Sequence, residues 1–550
     1  MHDQNDKVND ELTQEKMLEG SAWMTAGSIL SRILGAVYII PWSLMLDNLY
    51  LQANALYVQG YNVYSLILII SIAGIPSAIA KQVAHYNALN EYGVSVRLYK
   101  RGLLLSLMTG IVCAMLLYFG APLFDNGNTN LIPVMHSLAW AVLIIPTMSL
   151  TRGYFQGFQD MAPSAISQFV EQLFRVIYML VAVFFIIKMM RGSWVTAVSQ
   201  STFAAFIGSL AGLLILGLYY FKRRKYYRRL INNSNNELHV NANKLYVEII
   251  QQAIPFVILG AGISIFQLID QFTFFKIMNI ATNYSSATLN QLYAIFAGNA
   301  NKLIMITISL SSAMAITVVP LLSAAYTRKD KREIGHQISS GFVLFAFVMI
   351  PAALGMTAVA GPLNRVFYGN LNGSLSANVL AFSSIISISF GLFTVVSAMM
   401  QGISRNRIAV KFFVYGTIVK FITQFPMVYI FKEFGPLISS GIGFMVANGL
   451  IIRLLNKQYS IKSYDMLNKL NWIVLFSLIT YLVALTSVYA GNLLVSLFIN
   501  QYGRVGSFVV VSISSLIGGL VYVYLALKSR IADDVLGNKA EVLRQKLRIK

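Results

Sequence analysis

Five bases stand inside apolar stretches of the chain: Arg32, Lys81, Arg175, Lys302 and Lys420. A base at membrane depth costs at least about 2.5–3.5 kcal/mol on insertion scales, so it faces water or a partner instead of lipid. Arg32 lies near the middle of SAWMTAGSILSRILGAVYIIPW, Ser21 to Trp42, a stretch long enough to cross a bilayer. A guanidinium is permanently charged and forks onto phosphate oxygens, which makes Arg32 the first candidate for an anion-binding residue. The competing reading is a structural arginine, but its span offers no carboxylate at helical spacing. Lys302 follows the polar run Gly298-Asn299-Ala300-Asn301 and is the second cavity candidate, against a lysine that snorkels to the boundary. Lys81 lies in GIPSAIAKQVA, where Gly74 and Pro76 invite a bend. It faces the same cavity or reaches lipid headgroups.

The acidic residues are fewer. Glu171 and Arg175 are four apart, a spacing that predicts a self-neutralised pair on one helix face. Asp270 and Glu248 sit near opposite ends of one span; Asp270 reads as a site for a coupling cation or proton, or as an interfacial carboxylate. The five histidines are scattered without metal-ligand spacing, and no GxxxxGK[ST] loop is present, so the residues point to no metal, no ATP-driven pump and no enzyme. Cys113, the single cysteine, lies in an apolar run and reads as a small core residue.

The elements that must position these residues are long apolar helices. The chain of 550 residues is 57% hydrophobic and 11% charged, about half the charged fraction of a soluble protein. Its apolar runs are continuous, which excludes a β-barrel. No cleavable signal peptide is visible at the N-terminus. The expected class is an all-α polytopic membrane protein with about fourteen transmembrane helices. Spans are expected near 21–46, 58–85, 99–119, 133–157, 163–187, 194–221, 245–270, 288–326, 337–359, 377–402, 408–431, 436–456, 471–490 and 506–527. The eighth exceeds one crossing and must project, tilt or break.

Charge sets the orientation. Of 42 Lys and Arg, 31 fall on the side of the loops 86–101, 222–244, 327–336, 403–411 and 453–469 and of both termini, 6 on the other, and 5 within spans. The positive-inside rule makes that richer side cytoplasmic. The net charge of +21 is therefore a topology signal plus attraction to anionic lipids, not a nucleic-acid footprint.

The halves echo each other. ILGA recurs at Ile33 and Ile258, GAPLF at Gly120 answers AGPLN at Ala360, and Gln156-Gly157 answers Gln401-Gly402. Nineteen residues after each glutamine stands Arg175 or Lys420. A six-span repeat follows, with the copies related by an axis along the membrane normal and the substrate route at their interface. The expected layout is a cytoplasmic segment 1–20, an N-lobe 21–221, a basic linker 222–244, a C-lobe 245–456, two extra helices in 457–527 and a basic tail 528–550.

SRILG in the first span, GIPSAIAKQVA in the second, VVPLLS at Val318 and the repeated Gln-Gly resemble the polysaccharide-biosynthesis branch of the MOP flippase superfamily. Within it the chain is most similar to the MurJ-type lipid II flippases of the YtgP and SpoVB-like group. The resemblance covers essentially the whole chain. It implies a V-shaped, MATE-like two-lobed transporter of the bacterial cell membrane, working by alternating access, with both termini cytoplasmic. The implied cargo is a polyprenyl-pyrophosphate-linked glycan, lipid II, whose pyrophosphate meets the central bases and whose tail lies in a groove made with the last two spans. Cell-wall synthesis proteins are implied partners. No cofactor is implied; membrane potential or a monovalent cation would reset the carrier. Arg32 matches the family arginine of SR[IV]LG, and Lys302 approximates a base of the eighth span, offset by about one position. The family's second first-span arginine falls at about Tyr38, and its second-span arginine has no counterpart. Competing readings are a flippase for capsule, exopolysaccharide or teichoic-type units, a drug exporter, which predicts carboxylates in the cavity, and a membrane glycan polymerase or ligase, which needs a large external loop.

Overall fold

In hydrocarbon every backbone polar group must be satisfied within its own segment, and a helix does this residue by residue. The computed structural model follows that constraint. It describes Trp23, Gly27, Leu30, Ser31, residues 33–235 except 73 and 126, and residues 254–547 except 371, 372, 462, 463 and 499. Among these residues the regular structure is helical, with no strand. Eleven helices are long and apolar enough to span a membrane, or twelve if the pair Ile254–Gly260 and Gly262–Ala281, bent by 55°, is one span. The expected fourteen is thus not reached by this count. Two of the eleven runs, Ile33–Ile72 and Asn406–Tyr459, are 40 and 54 residues long and each contain an internal break, so length alone merges what the sequence separates.

The chain forms two compact units, Met1–Val257 and Ile258–Lys550. In the first, α1 (Ile39–Leu46) leads into α2 (Tyr50–Ile72). Gly74, left-handed at φ 70°, then turns the chain, and Pro76 opens α3 (Ile75–Ala88), the bend that the Gly-Ile-Pro motif predicts. There follow α4 (Tyr92–Phe119), α5 (Leu131–Gly157), α6 (Ala162–Val183) and α7 (Trp194–Lys222). Helix α5 is the hub, packed against α2, α3, α4 and α7. Ile79, Val83, Val94, Leu98, Leu150 and Tyr154 form one core cluster there.

The segment expected as a solvated linker is folded as far as Asn235. Helix α8 (Arg224–Asn232) buries Tyr227 against Phe155, Phe158 and Tyr220, and the Ser234 hydroxyl and Asn235 amide donate to the carbonyl of Asn90 at 3.0 and 3.1 Å. Tyr227, Leu230 and Ile231, three and four residues apart among the bases, give α8 an apolar stripe that local charge counting overlooks. Residues 236–244 of that linker lie outside the described residues.

The second unit contains α9 (Gly262–Ala281), α10 (Asn301–Thr327), α11 (Lys331–Ala358), α12 (Ala360–Tyr368), α13 (Gly373–Gly402), α14 (Asn406–Phe431) and α15 (Gly435–Tyr459). The over-long eighth run, Ser286–Thr327, is interrupted by a π-helical turn at Ala294–Ala300. The last two long helices, α16 (Tyr464–Ser496) and α17 (Arg504–Lys528), pack on each other; α16 lies along α11, and α17 along α12. The tail is not free: α18 (Ile531–Leu536) and α19 (Asn538–Lys546) are pinned by Arg544–Asp533 at 2.9 Å and by Lys469–Asp534 at 3.0 Å. Leu116, Phe221, Phe421 and Leu520, each at least 60% exposed, give the long helices apolar outer faces that suit lipid.

Two glycines set close helix contacts at the repeat-related bases. A Cβ on Gly208 of α7 would lie 3.0 Å from the Cβ of Arg175, and one on Gly443 of α15 would lie 2.9 Å from the Cβ of Lys420 and 2.8 Å from the Gly416 carbonyl oxygen. The two repeat-related bases are thus seated against glycines of the following helix. Gly443→Ala is expected to destabilise the protein by about 1–3 kcal/mol through overpacking against backbone, read as a lowered thermal midpoint in detergent. Gly519→Ala, whose Cβ meets open space, should leave the midpoint unchanged or raise it.

Candidate functional site

Each unit holds a polar cluster at its repeat-related base, half-buried in the first and buried in the second. In the first, α6 carries Ser167, Glu171 and Arg175, each four residues from the last and so on one helix face. Glu171 does not pair with Arg175. Its Oε2 accepts from Arg152 Nη2 at 2.8 Å, and Arg152 also donates to the Ser167 hydroxyl at 2.9 and 3.1 Å. Arg152 sits near the end of α5. The better geometry comes from the neighbouring helix, where a guanidinium meets the carboxylate and the hydroxyl together.

Arg175 instead reaches α2. Its Nη2 donates to the Tyr57 and Tyr61 hydroxyls at 3.4 and 3.3 Å, and its guanidinium lies 5.5 Å from the Tyr61 ring centroid. Tyr57 and Tyr61 are stacked, with centroids 5.6 Å apart. Among the described residues no carboxylate is in ion-pair contact with Arg175. The cluster is therefore positive and rich in hydroxyl donors, which suits an anion.

In the second unit the corresponding base is neutralised. Lys420 is fully buried, and its Nζ donates to Asp270 Oδ1 at 2.7 Å, to the Ser440 hydroxyl at 2.6 Å and to Gln424 Oε1 at 3.4 Å. Gln424 Nε2 donates to Asp270 at 3.0 Å and to the Thr273 hydroxyl at 2.9 Å, and its oxygen accepts from the Ser439 hydroxyl. The ammonium also lies 5.2 Å from the Phe266 ring centroid. Three helices, α9, α14 and α15, meet at this oxygen cage. Asp270 is 8% exposed and already holds the Lys420 ammonium. A cavity of about 30 Å³, room for about one water, opens beside it and is lined by Gln267, Asp270, Asn301 and Ser440 among others.

The three predicted anion contacts are placed as follows. Arg32 lies outside the described residues, as does Glu248. Lys81 is exposed on α3, in the first unit. Lys302 is half-buried at the start of α10, one residue past Asn301 and just beyond the π-helical turn. Inside that turn the Tyr368 hydroxyl donates to the Asn299 carbonyl at 3.0 Å. A groove of about 370 Å³ runs along α11, α16 and α17, walled by Gly355, Ala484, Ser515, Gly518 and Gly519 with Met356 and Tyr522. Its small residues, spaced along three helices, leave the trough.

The chain matches the model of a family described as polysaccharide biosynthesis protein over residues 17–326. It is 33% identical over 538 residues to the lipid II flippase MurJ of Bacillus subtilis (strain 168), covering 95% of this chain and 97% of that protein. It is 24% identical over 520 residues to the uncharacterized membrane protein YabM of the same organism, covering 94% and 93%. Among solved structures, a lipid II flippase MurJ in an inward closed conformation superposes with a TM-score of 0.61 at 14% identity, covering 93% of this chain and 99% of that one. An inward-facing multidrug resistance MATE family transporter of the MOP superfamily gives 0.58 at 16% identity, covering 77% and 98%. At these identities the two structures share the fold.

The buried pair makes a direct prediction. Lys420→Met leaves a buried carboxylate without its cation and should destabilise the protein by about 3–5 kcal/mol, whereas Lys420→Met with Asp270→Leu should recover most of that loss. Denaturation of the four proteins of this cycle in one detergent measures the coupling; additive single effects would contradict the geometry.

Proposed function

Because the chain belongs to the polysaccharide biosynthesis protein family, among the MurJ-type flippases of the MOP superfamily, we propose that it carries lipid II from the inner to the outer leaflet of a bacterial cell membrane by alternating access. It is a multi-pass membrane protein and a transporter, not a catalyst. The observation that carries the cargo assignment is 33% identity to a lipid II flippase along 95% of the chain.

The physics of the task fits the residues. A diphosphate cannot cross hydrocarbon unaided, and fixed cations replace its hydration. In this reading Arg32, Lys81 and Lys302 meet the pyrophosphate, and Arg175 with its tyrosines adds a fourth positive locus. The polyprenyl tail lies in the groove of α11, α16 and α17. The runs of 40 and 54 residues each cross twice, which with the bent pair gives fourteen spans, and the basic loops face the cytoplasm. The two units act as the N- and C-lobes of the carrier.

Release of the anion needs a force. Membrane potential supplies about 2.3 kcal/mol per charge per 100 mV and is the proposed one. A coupled monovalent cation would have to share Asp270 with the Lys420 ammonium. The same pairing weighs against a drug-exporter chemistry that needs a free cavity carboxylate.

Complementation tests the reading. In bacteria depleted of their own lipid II flippase, wild type should restore exposure of lipid II on the outer face. Arg32→Ala at equal membrane abundance should lower it about tenfold or more, the weight of one charge-assisted contact. Failure of a well-expressed wild type would move the cargo to another polyprenyl-linked glycan; full rescue by Arg32→Ala would remove Arg32 from the site. In vesicles, collapsing the potential should slow flipping, and a rate indifferent to both potential and monovalent-ion gradients would overturn the energy source.

A further inference from the structure

A cavity of about 680 Å³ opens at the end of the second unit that carries the 327–336 loop. Small-molecule sites run from roughly 300 to 1,000 Å³. Its walls come from the first turns of α11, the end of α15, the start of α16 and the tail helix α18. Gly335 lets α11 meet the end of α15: a Cβ there would lie 2.6 Å from the Tyr459 carbonyl oxygen. The Ser339 hydroxyl then donates to the Ile461 carbonyl at 2.8 Å and holds the turn after α15 in place.

One wall is cationic. Arg332, His336, Ser339 and Val343 stand four, three and four residues apart on one face of α11, with Lys331 beside them. The stripe runs about 16 Å along the helix, from exposed bases to an apolar floor of Val343, Ile461 and Met466. Among the described residues no carboxylate is in ion-pair contact with Lys331 or Arg332. The neighbouring acids are engaged locally. Asp330 accepts from the Arg332 and Glu333 amides, each at 3.0 Å, and Glu333 accepts from Gln337 Nε2 at 2.7 Å. With those first amides of α11 already capped, an anion at this wall meets side chains.

The opposite wall accepts hydrogen bonds. Lys469 bridges Asp465 at 2.8 Å and Asp534 at 3.0 Å, two carboxylates against one ammonium, and so ties α18 to α16. Gln458 Oε1 is buried in the lining and has no hydrogen-bond partner among the described residues. A buried acceptor left open is costly, and a donor brought by a ligand removes that cost. A bare anion satisfies the first wall only. A phosphate ester whose organic part carries hydroxyl or amine groups satisfies both.

We propose that this cavity binds an organic phosphate from the cytoplasmic side, with Lys331 and Arg332 on the phosphate and Gln458 accepting from its organic part. The inference takes the membrane orientation from the proposed function but does not depend on the cargo. The phosphate is that of a soluble nucleotide or of an inner-leaflet phospholipid headgroup.

Two binding measurements on the full chain in detergent decide. Equilibrium dialysis uses labelled ADP, with adenosine and inorganic phosphate as competitors; native mass spectrometry uses dioleoyl phosphatidylglycerol, with dioleoylglycerol as the phosphate-free control. Wild type should bind ADP or phosphatidylglycerol saturably and in preference to its phosphate-free control. Lys331→Gln with Arg332→Gln should lower that affinity about tenfold or more, while Lys331→Arg with Arg332→Lys should keep most of it. Ser340→Trp, which fills the cavity with both bases intact, should weaken the same ligand. Arg328→Gln with Lys329→Gln, in the same loop but outside the lining, should leave it unchanged. A loss read with ADP assigns the site to soluble phosphates, and a loss read only with phosphatidylglycerol assigns it to a headgroup. The proposal is overturned if wild type binds neither probe, if the glutamine variant binds as wild type does, or if the Arg328 and Lys329 control loses as much. Competition by inorganic phosphate as strong as by ADP itself also overturns it, because the second wall would then contribute nothing. Lipid II flipping is scored separately in vesicles, so failure of the site and failure of the transport reading appear in different assays.

Discussion

A charge taken out of water must be met by something, and in a bundle bounded by lipid the only suppliers are neighbouring helices and ligands. Most of the internal architecture follows from how each base is met. Lys420 is met by a carboxylate, a hydroxyl and an amide from three helices, so it ties α9, α14 and α15 into one block. Arg152 is met by Glu171 and Ser167 and ties α5 to α6. Arg175 is met by two phenol hydroxyls and a ring, which solvate it without cancelling its charge. The two units therefore use related positions for different ends: one base is silenced and the other kept electrically available.

That asymmetry bears on transport. An anion carrier needs positive potential somewhere along its route and rigidity elsewhere. The second unit has its buried Lys420 locked in a pair that ties three helices to one another. The first leaves a guanidinium among tyrosines, where it donates to two phenol oxygens. Close seating of α7 on Arg175 and of α15 on Lys420, each across a glycine, keeps both bases fixed relative to their own helix pairs.

The all-helical class, the polytopic membrane character and the family were legible because they rest on long-run averages and on short ordered motifs. The bend at Gly74-Pro76 was legible for a local reason, since it follows from residues within one turn, whereas the length of the eighth run left projection, tilt and a break open. The pairing of charges was not. Glu171 to Arg175 has the right spacing, but Arg152, nineteen residues away, has the better approach. Asp270 and Lys420 are 150 residues apart, and no local pattern joins them. The docking of α8 and of the tail was hidden in the same way: their bases read as solvated, while Tyr227 and Ala540 find cores supplied by distant helices.

The π-helical turn at Ala294–Ala300 has a consequence for Lys302, which follows it directly. In a regular helix a residue's bearing around the axis is fixed by its place in the chain, at about 100° per residue. A widened turn breaks that rule, because the hydrogen bonds there reach one residue further than in the helix proper. The bearing of Lys302, and of all of α10 beyond it, is thus set by how seven residues choose their acceptors. A return of that turn to ordinary helical bonding would swing the lysine around the axis like a key in a lock, without any change in the chain's length. Inside the turn, the Asn299 carbonyl accepts from the Tyr368 hydroxyl of α12.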